Sequence, residues 1–131
     1  MDTSVLICGL ISPLGHSGTL VSAVFEDRLK LAYTRDILAE YADVMARDHF
    51  KIEARECIAV MTKLRASNKR VTPVTVPTAD WPDEDDLPFV AAALATEDKI
   101  IVTLNPRDFA PAKVHGVSVL TSAQAVARFL R

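Results

Sequence analysis

A chain of 131 residues, half of them hydrophobic and 24% charged, has the length and apolar content of one packed domain spanning residues 1–131. A formal net charge of −2 excludes a generally basic nucleic-acid binder, so any polyanion must be held by a local patch or through metal ions. Cys8 and Cys57 lie in apolar segments without zinc-type spacing, and no run approaches the roughly 20 apolar residues of a membrane span; a cytoplasmic protein with reduced thiols is expected.

In chain order, Asp2, Thr3 and Ser4 are helix N-cap residue types ahead of the apolar run "VLICGLI". "SPLGHSG" (12–18) is a turn-rich loop, and residues 16–27 read as a short helix. "LKLAYT" (29–34) reads as a strand; Thr34 then caps a helix running to about Phe50. A further helix covers 51–67. "KRVTPVTV" (69–76) is strand-like, limited by Pro73. The acidic stretch "WPDEDDLPFV" leads into an alanine-rich helix at about 87–98. "KIIVTL" (99–104) is a buried strand, "NPRDFAPAKVHG" a loop with one helical turn, "VSVLT" (117–121) a strand and "SAQAVARFLR" a final helix capped by Thr121 or Ser122. This alternation predicts an α/β domain with a mainly parallel sheet, whose ligands sit beyond the carboxyl ends of the strands.

Acids in those places are the candidate site. On the helix from residue 35, Ile37, Leu38, Tyr41, Val44 and Met45 form an apolar stripe at about 100° per residue. Glu40 falls near −60°, at the edge of that stripe by the same geometry, aimed along the rim of the core or paired with Arg47. Asn105 and Asp108 follow the buried strand, either as hard-cation ligands or as an ordinary turn and cap. Asp83, Glu84, Asp85 and Asp86 sit where a helix dipole welcomes charge. Four acids converging in a cleft would repel one another, and a divalent cation removes that cost. Carboxylates with water select Mg²⁺ or Mn²⁺. "KLRASNKR" offers Lys63, Arg65, Lys69 and Arg70 for RNA phosphates, or simply a solvated helix end, and no aromatic stacking platform is visible. His16, His49 and His115 have no triad or zinc spacing.

"MDTSVL", "ILAEYADVM", "DEDDLPFVAAAL", "IIVTLNPRDF" and "GVSVLTSAQAVARFL" occur in an order that resembles the PIN-domain ribonucleases, most nearly the toxin components of bacterial toxin–antitoxin pairs. The resemblance implies a three-layer α/β/α sandwich around a central, mainly parallel sheet. It implies metal-assisted hydrolysis of RNA, with Asp2, Glu40, Asp86 and Asp108 as catalytic acids. Those four with Asn105 would bind Mg²⁺ or Mn²⁺, supported by Ser4 and Thr103. An antitoxin partner and a homodimer follow by the same analogy. Only Met1 precedes Asp2, where the family has an apolar central strand; either the first strand is truncated, which would leave Asp2 at a flexible terminus, or the centre of the sheet is built differently. The alternative reading is a catalytically weak or inactive domain of the same fold that binds RNA or protein. A phosphoacceptor receiver fits less well, because none of the later strands ends in Lys.

Overall fold

The computed structural model describes residues 1–76, 81 and 83–130; Pro82 of the acidic stretch and Arg131 at the end of the last expected helix lie outside them. In chain order come α1 (Thr3–Ile11), α2 (His16–Phe25), β1 (Ala32–Tyr33), α3 (Arg35–Met45), α4 (Ala54–Ser67), β2 (Lys69–Arg70), α5 (Leu87–Leu94), β3 (Ile100–Val102), β4 (Ser118–Leu120) and α6 (Ser122–Phe129). Short 3₁₀ segments cover Asp48–Phe50, Glu84–Asp86 and Pro106–His115.

The helix starts follow from capping chemistry. Asp2 caps α1 by accepting from Val5 N at 3.3 Å, and Thr34 caps α3 by accepting from Ile37 N at 3.3 Å. Thr121 opens α6 in a capping box with Gln124. Pro88 sits in the first turn of α5, where its lack of an N–H costs nothing.

α1 and α2 meet at 94°; Gly9 of α1 lies close against α2, and Gly18 of α2 lies close against the loop that joins them. A Cβ on Gly18 would stand 2.1 Å from the Pro13 carbonyl oxygen; one on Gly9 would stand 2.5 Å from Val21 Cγ2. Gly18→Ala is therefore expected to cost about 1–3 kcal/mol through overpacking. Thermal melting reads this directly, and an unchanged Tm would show that the Pro13 loop gives way freely. Among the described residues no single helix is long and apolar enough to cross a membrane, and the bent α1–α2 pair buries Val5, Leu6, Ile7, Leu20, Val21 and Val24 inside the fold.

The strands are parallel, as expected, but they form two separate pairs. β1 pairs with β2 (Ala32↔Lys69, Tyr33↔Arg70), and β3 pairs with β4 (Ile100↔Ser118 to Val102↔Leu120). Between the pairs lies a cavity of about 330 Å³, bordered by Leu31 and Ala32 on one side, Ile100, Ile101 and Val102 on the other, and Met1. The chain adds one rung there, Asp2 N to Val102 O at 2.9 Å. The central sheet inferred from the resemblance is thus open at its middle.

β2 is shorter than expected. Val71 N still donates to Tyr33 O at 2.9 Å, but Pro73 has no N–H to continue the ladder, and Val74 N turns instead to Ala91 O at 3.1 Å. The loop after β3 winds into ten residues of 3₁₀ helix and ends at Gly116, whose φ of +84° suits glycine. The main core gathers Ile37, Tyr41 and Met45 of α3 with Val60 and Leu64 of α4, Phe89 and Val90 of α5, Ile101 and Phe109. Val5, Leu20, Ala125 and Val126 make a second cluster, where α1, α2 and α6 meet.

Candidate active site

Asp2 is the anchor of the site. It is 6% exposed, and both carboxylate oxygens are engaged. The Ser4 hydroxyl and Val5 N donate to Oδ1, and the buried Thr103 hydroxyl donates to Oδ2 at 2.5 Å. Thr103 also accepts from Asn105 N at 3.0 Å, and Ser4 accepts from Leu104 N at 3.4 Å. The flexible Asp2 that a truncated first strand would leave is therefore corrected. The end of β3 grips it, because a buried carboxylate must be hydrogen-bonded and these hydroxyls supply the bonds. Replacing Thr103 with Val keeps the shape and removes both bonds. A loss of about 1–3 kcal/mol in melting stability is expected, and a loss of only a few tenths would mean that Ser4 and Val5 hold Asp2 alone.

Glu40 is half-buried at the edge of α3, where the helical-wheel angle puts it. The Thr3 hydroxyl donates to its Oε2. Burial pushes the Glu40 carboxyl above the usual range; the Thr3 bond opposes this, and the charges of Asp85 and Asp2 add to it. Thr3 reads only as a cap residue in sequence; a partner 37 positions away leaves no local signal.

The acidic run divides its work. Asp83 caps the 3₁₀ turn by accepting from Asp85 N at 2.9 Å. Asp86 makes no capping bond to α5. Its half-buried carboxyl is pushed up to about 6, first by burial and then by the charges of Asp83, Asp108, Asp2 and Glu40.

These side chains line one cleft of about 530 Å³: Asp2, Glu40, Asp83, Asp85, Asp86 and Asp108 with Asn105, beside Thr3, Ser4, Cys8, Arg47 and Phe50. All five candidate ligand positions are brought together, while Glu84 and the three histidines lie outside the lining. So do all four residues of the basic run. Lys63 bonds Asp27 at 2.9 Å and, with Lys30, holds that exposed carboxyl down at about 2. Arg65 lines a separate groove, and Lys69 and Arg70 form β2. Arg47 and Phe50 border the cleft unanticipated, carried there by the 3₁₀ turn that follows α3.

The donors are hard oxygens at carboxylate charge, which fits Mg²⁺ or Mn²⁺. Among the described residues no three His, Cys, Asp or Glu side chains form a closed ligand group. An open cleft still fits Mg²⁺, which keeps several waters and uses one or two carboxylates.

An acid-lined cleft beside the carboxyl end of a parallel strand marks an α/β domain of the kind that carries out hard-cation chemistry on anionic substrates. The chain belongs to the PIN-domain family, whose model, described as PIN domain, matches residues 1–126. This is generally a nuclease fold and typically a metal-dependent one. Searches of curated proteins and of solved structures returned no match.

Proposed function

We propose that this chain, as one PIN-like domain over residues 1–131, is a Mg²⁺- or Mn²⁺-dependent endoribonuclease. We read it as the toxin of a cytoplasmic toxin–antitoxin pair. The observation that supports the nuclease reading most is the cleft itself, whose walls carry, among the described residues, six carboxylates and one cation, Arg47. Such a concentration of like charge costs stability unless a cation resolves it.

Asp86 and Glu40, both half-buried, would hold the ion with Asp2, while Asp108 and the neutral oxygen of Asn105 complete the rim. When bound, the ion would polarise the scissile phosphate and lower the pKa of the attacking water. Ser4 and Thr103 fix the two oxygens of Asp2, and Thr3 fixes Glu40, so the acids keep their orientation as substrate enters. No side chain needs to act as nucleophile, and a 5′-phosphate product is expected. The antitoxin and a homodimer rest on the resemblance. The surface offers an apolar groove of about 600 Å³ between α3 and α4, with Ile58 65% exposed on it, suited to a partner.

One observation favours a second reading, a non-catalytic RNA- or protein-binding domain: the acids form no closed ligand group among the described residues. A cleavage assay on a panel of single-stranded and structured RNAs with Mn²⁺ or Mg²⁺ separates the two. Loss of cleavage in Glu40→Gln, in Asp86→Asn and in EDTA supports the nuclease. RNA binding by wild type without cleavage favours the binding domain.

A further inference from the structure

The walls of the cleft pose a problem for any RNA, since a polyanion meets six carboxylates on entry. The exception among the described lining residues is Arg47. It stands two residues beyond the end of α3 in an extended conformation, where it opens the 3₁₀ turn Asp48–Phe50. Its guanidinium is lightly committed. It makes one 3.4 Å contact with Asp43, and both side chains are more than half exposed. Nothing in that contact prevents the fork from turning to a phosphate.

Three residues further on, Phe50 enters the same cleft wall. The ring is half-buried against the main core, which fixes its position. His49 stacks beside it, ring centroids 4.1 Å apart and tilted by 40°. A fixed aromatic ring and an exposed, weakly paired guanidinium on one rim are the two parts of a nucleotide subsite.

We propose that Arg47 and Phe50 form the subsite for the nucleotide next to the scissile phosphate, Arg47 gripping the flanking phosphate and Phe50 stacking its base. This rests on the ribonuclease reading and narrows its substrate class. A base must leave its helix to lie on Phe50, so the substrate is single-stranded or looped RNA and not continuous duplex.

The test is fluorescence anisotropy with a short unstructured RNA, with Ca²⁺ in place of Mg²⁺, for wild type, Arg47→Gln, Phe50→Leu and Phe50→Trp. The same proteins are run with Mn²⁺ for cleavage. Arg47→Gln is expected to weaken binding and to reduce the slope of log K against log salt by about 0.7, the value for one phosphate contact on a single strand. Phe50→Leu is expected to weaken binding about tenfold with the slope unchanged, and Phe50→Trp to restore it. A role in folding alone would move neither the slope nor the Leu–Trp difference. Wild-type cleavage with unchanged binding and slope in the variants overturns the subsite and leaves the ribonuclease standing. Binding that weakens as expected without wild-type cleavage keeps the subsite and overturns the catalytic reading. No RNA binding by wild type overturns both.

Discussion

Asp86→Asn is expected to abolish cleavage while leaving the metal-free fold at least as stable as wild type. On the proposed function Asp86 would hold the ion, and losing such a carboxylate removes several kcal/mol of transition-state stabilisation, which is more than about 100-fold in rate. Stability moves the other way because this carboxylate stands in an unfavourable field. Its pKa rises from 3.8 in its ordinary state to about 6 in the fold, through burial and then four neighbouring acids. A raised pKa means that the folded state binds the proton better than the unfolded state does. The stabilising contribution is therefore complete below the unfolded value and is lost as pH rises through about 6. At neutral pH the wild type bears a strained charge that the amide lacks. Solvent at this partly exposed group screens the difference to within about 1 kcal/mol. The variant's advantage in Tm should shrink as the pH falls through about 6, where wild type takes up its proton. Metal affinity of wild type should fall over the same interval, because proton and ion compete for one carboxylate. Full cleavage by the variant would remove Asp86 from the site.

The parts of the site that can be read in sequence are those set by local geometry. The wheel angle of Glu40 follows from the stripe of Ile37, Tyr41 and Met45, all buried, and the residue is half-buried at its edge. Thr34 and Thr121 cap as their types dictate, since a cap needs only a backbone N–H two or three residues away. The acidic run is harder. Asp83 and Asp86 are the same residue type three positions apart and both line the cleft, yet Asp83 is exposed and spends an oxygen capping a turn, while Asp86 is half-buried and caps nothing. Only the resemblance distinguishes them. What sequence hides is contact across distance. Thr3 meets Glu40, and Thr103 meets Asp2 across 101 positions. Arg47 and Phe50 look like the tail of one long helix. In the fold α3 ends at Met45, and the 3₁₀ turn carries them to the cleft rim. That is why a sequence with no visible aromatic platform has an aromatic ring in its site.

The opening between β1 and β3 leads to the other large effect. Joining four β-branched apolar residues to the Met1 nitrogen is expected to raise Tm by about 10 °C. The cavity borders are apolar and extended, at Leu31, Ala32, Ile100, Ile101 and Val102. Asp2 N already bonds Val102 O, so residues placed before Met1 would run parallel to β3 in a set register. The Tyr41 hydroxyl holds the Met1 carbonyl in line with that path. The Met1 ammonium is buried, and burial lowers its pKa; a peptide bond at the same nitrogen carries no charge to desolvate. Each buried side chain contributes about 1.5–3 kcal/mol, and each ladder bond about 1 kcal/mol. Ordering each residue's backbone opposes this by about 1–2 kcal/mol. With two of the four side chains facing the cavity, these opposing terms centre on a net gain of about 2–3 kcal/mol, which corresponds to about 10 °C in a domain of this size. Amides of Ala32, Tyr33 and Ile100 to Val102 should gain protection from hydrogen exchange in the extended chain, whereas a Gly-Ser extension of equal length should leave those amides unprotected and raise Tm only by the smaller amount that comes from removing the buried Met1 charge. An equal rise with Gly-Ser would trace the effect to the Met1 nitrogen alone. No rise with either would mean that the two strand pairs stand apart for a reason other than the space between them.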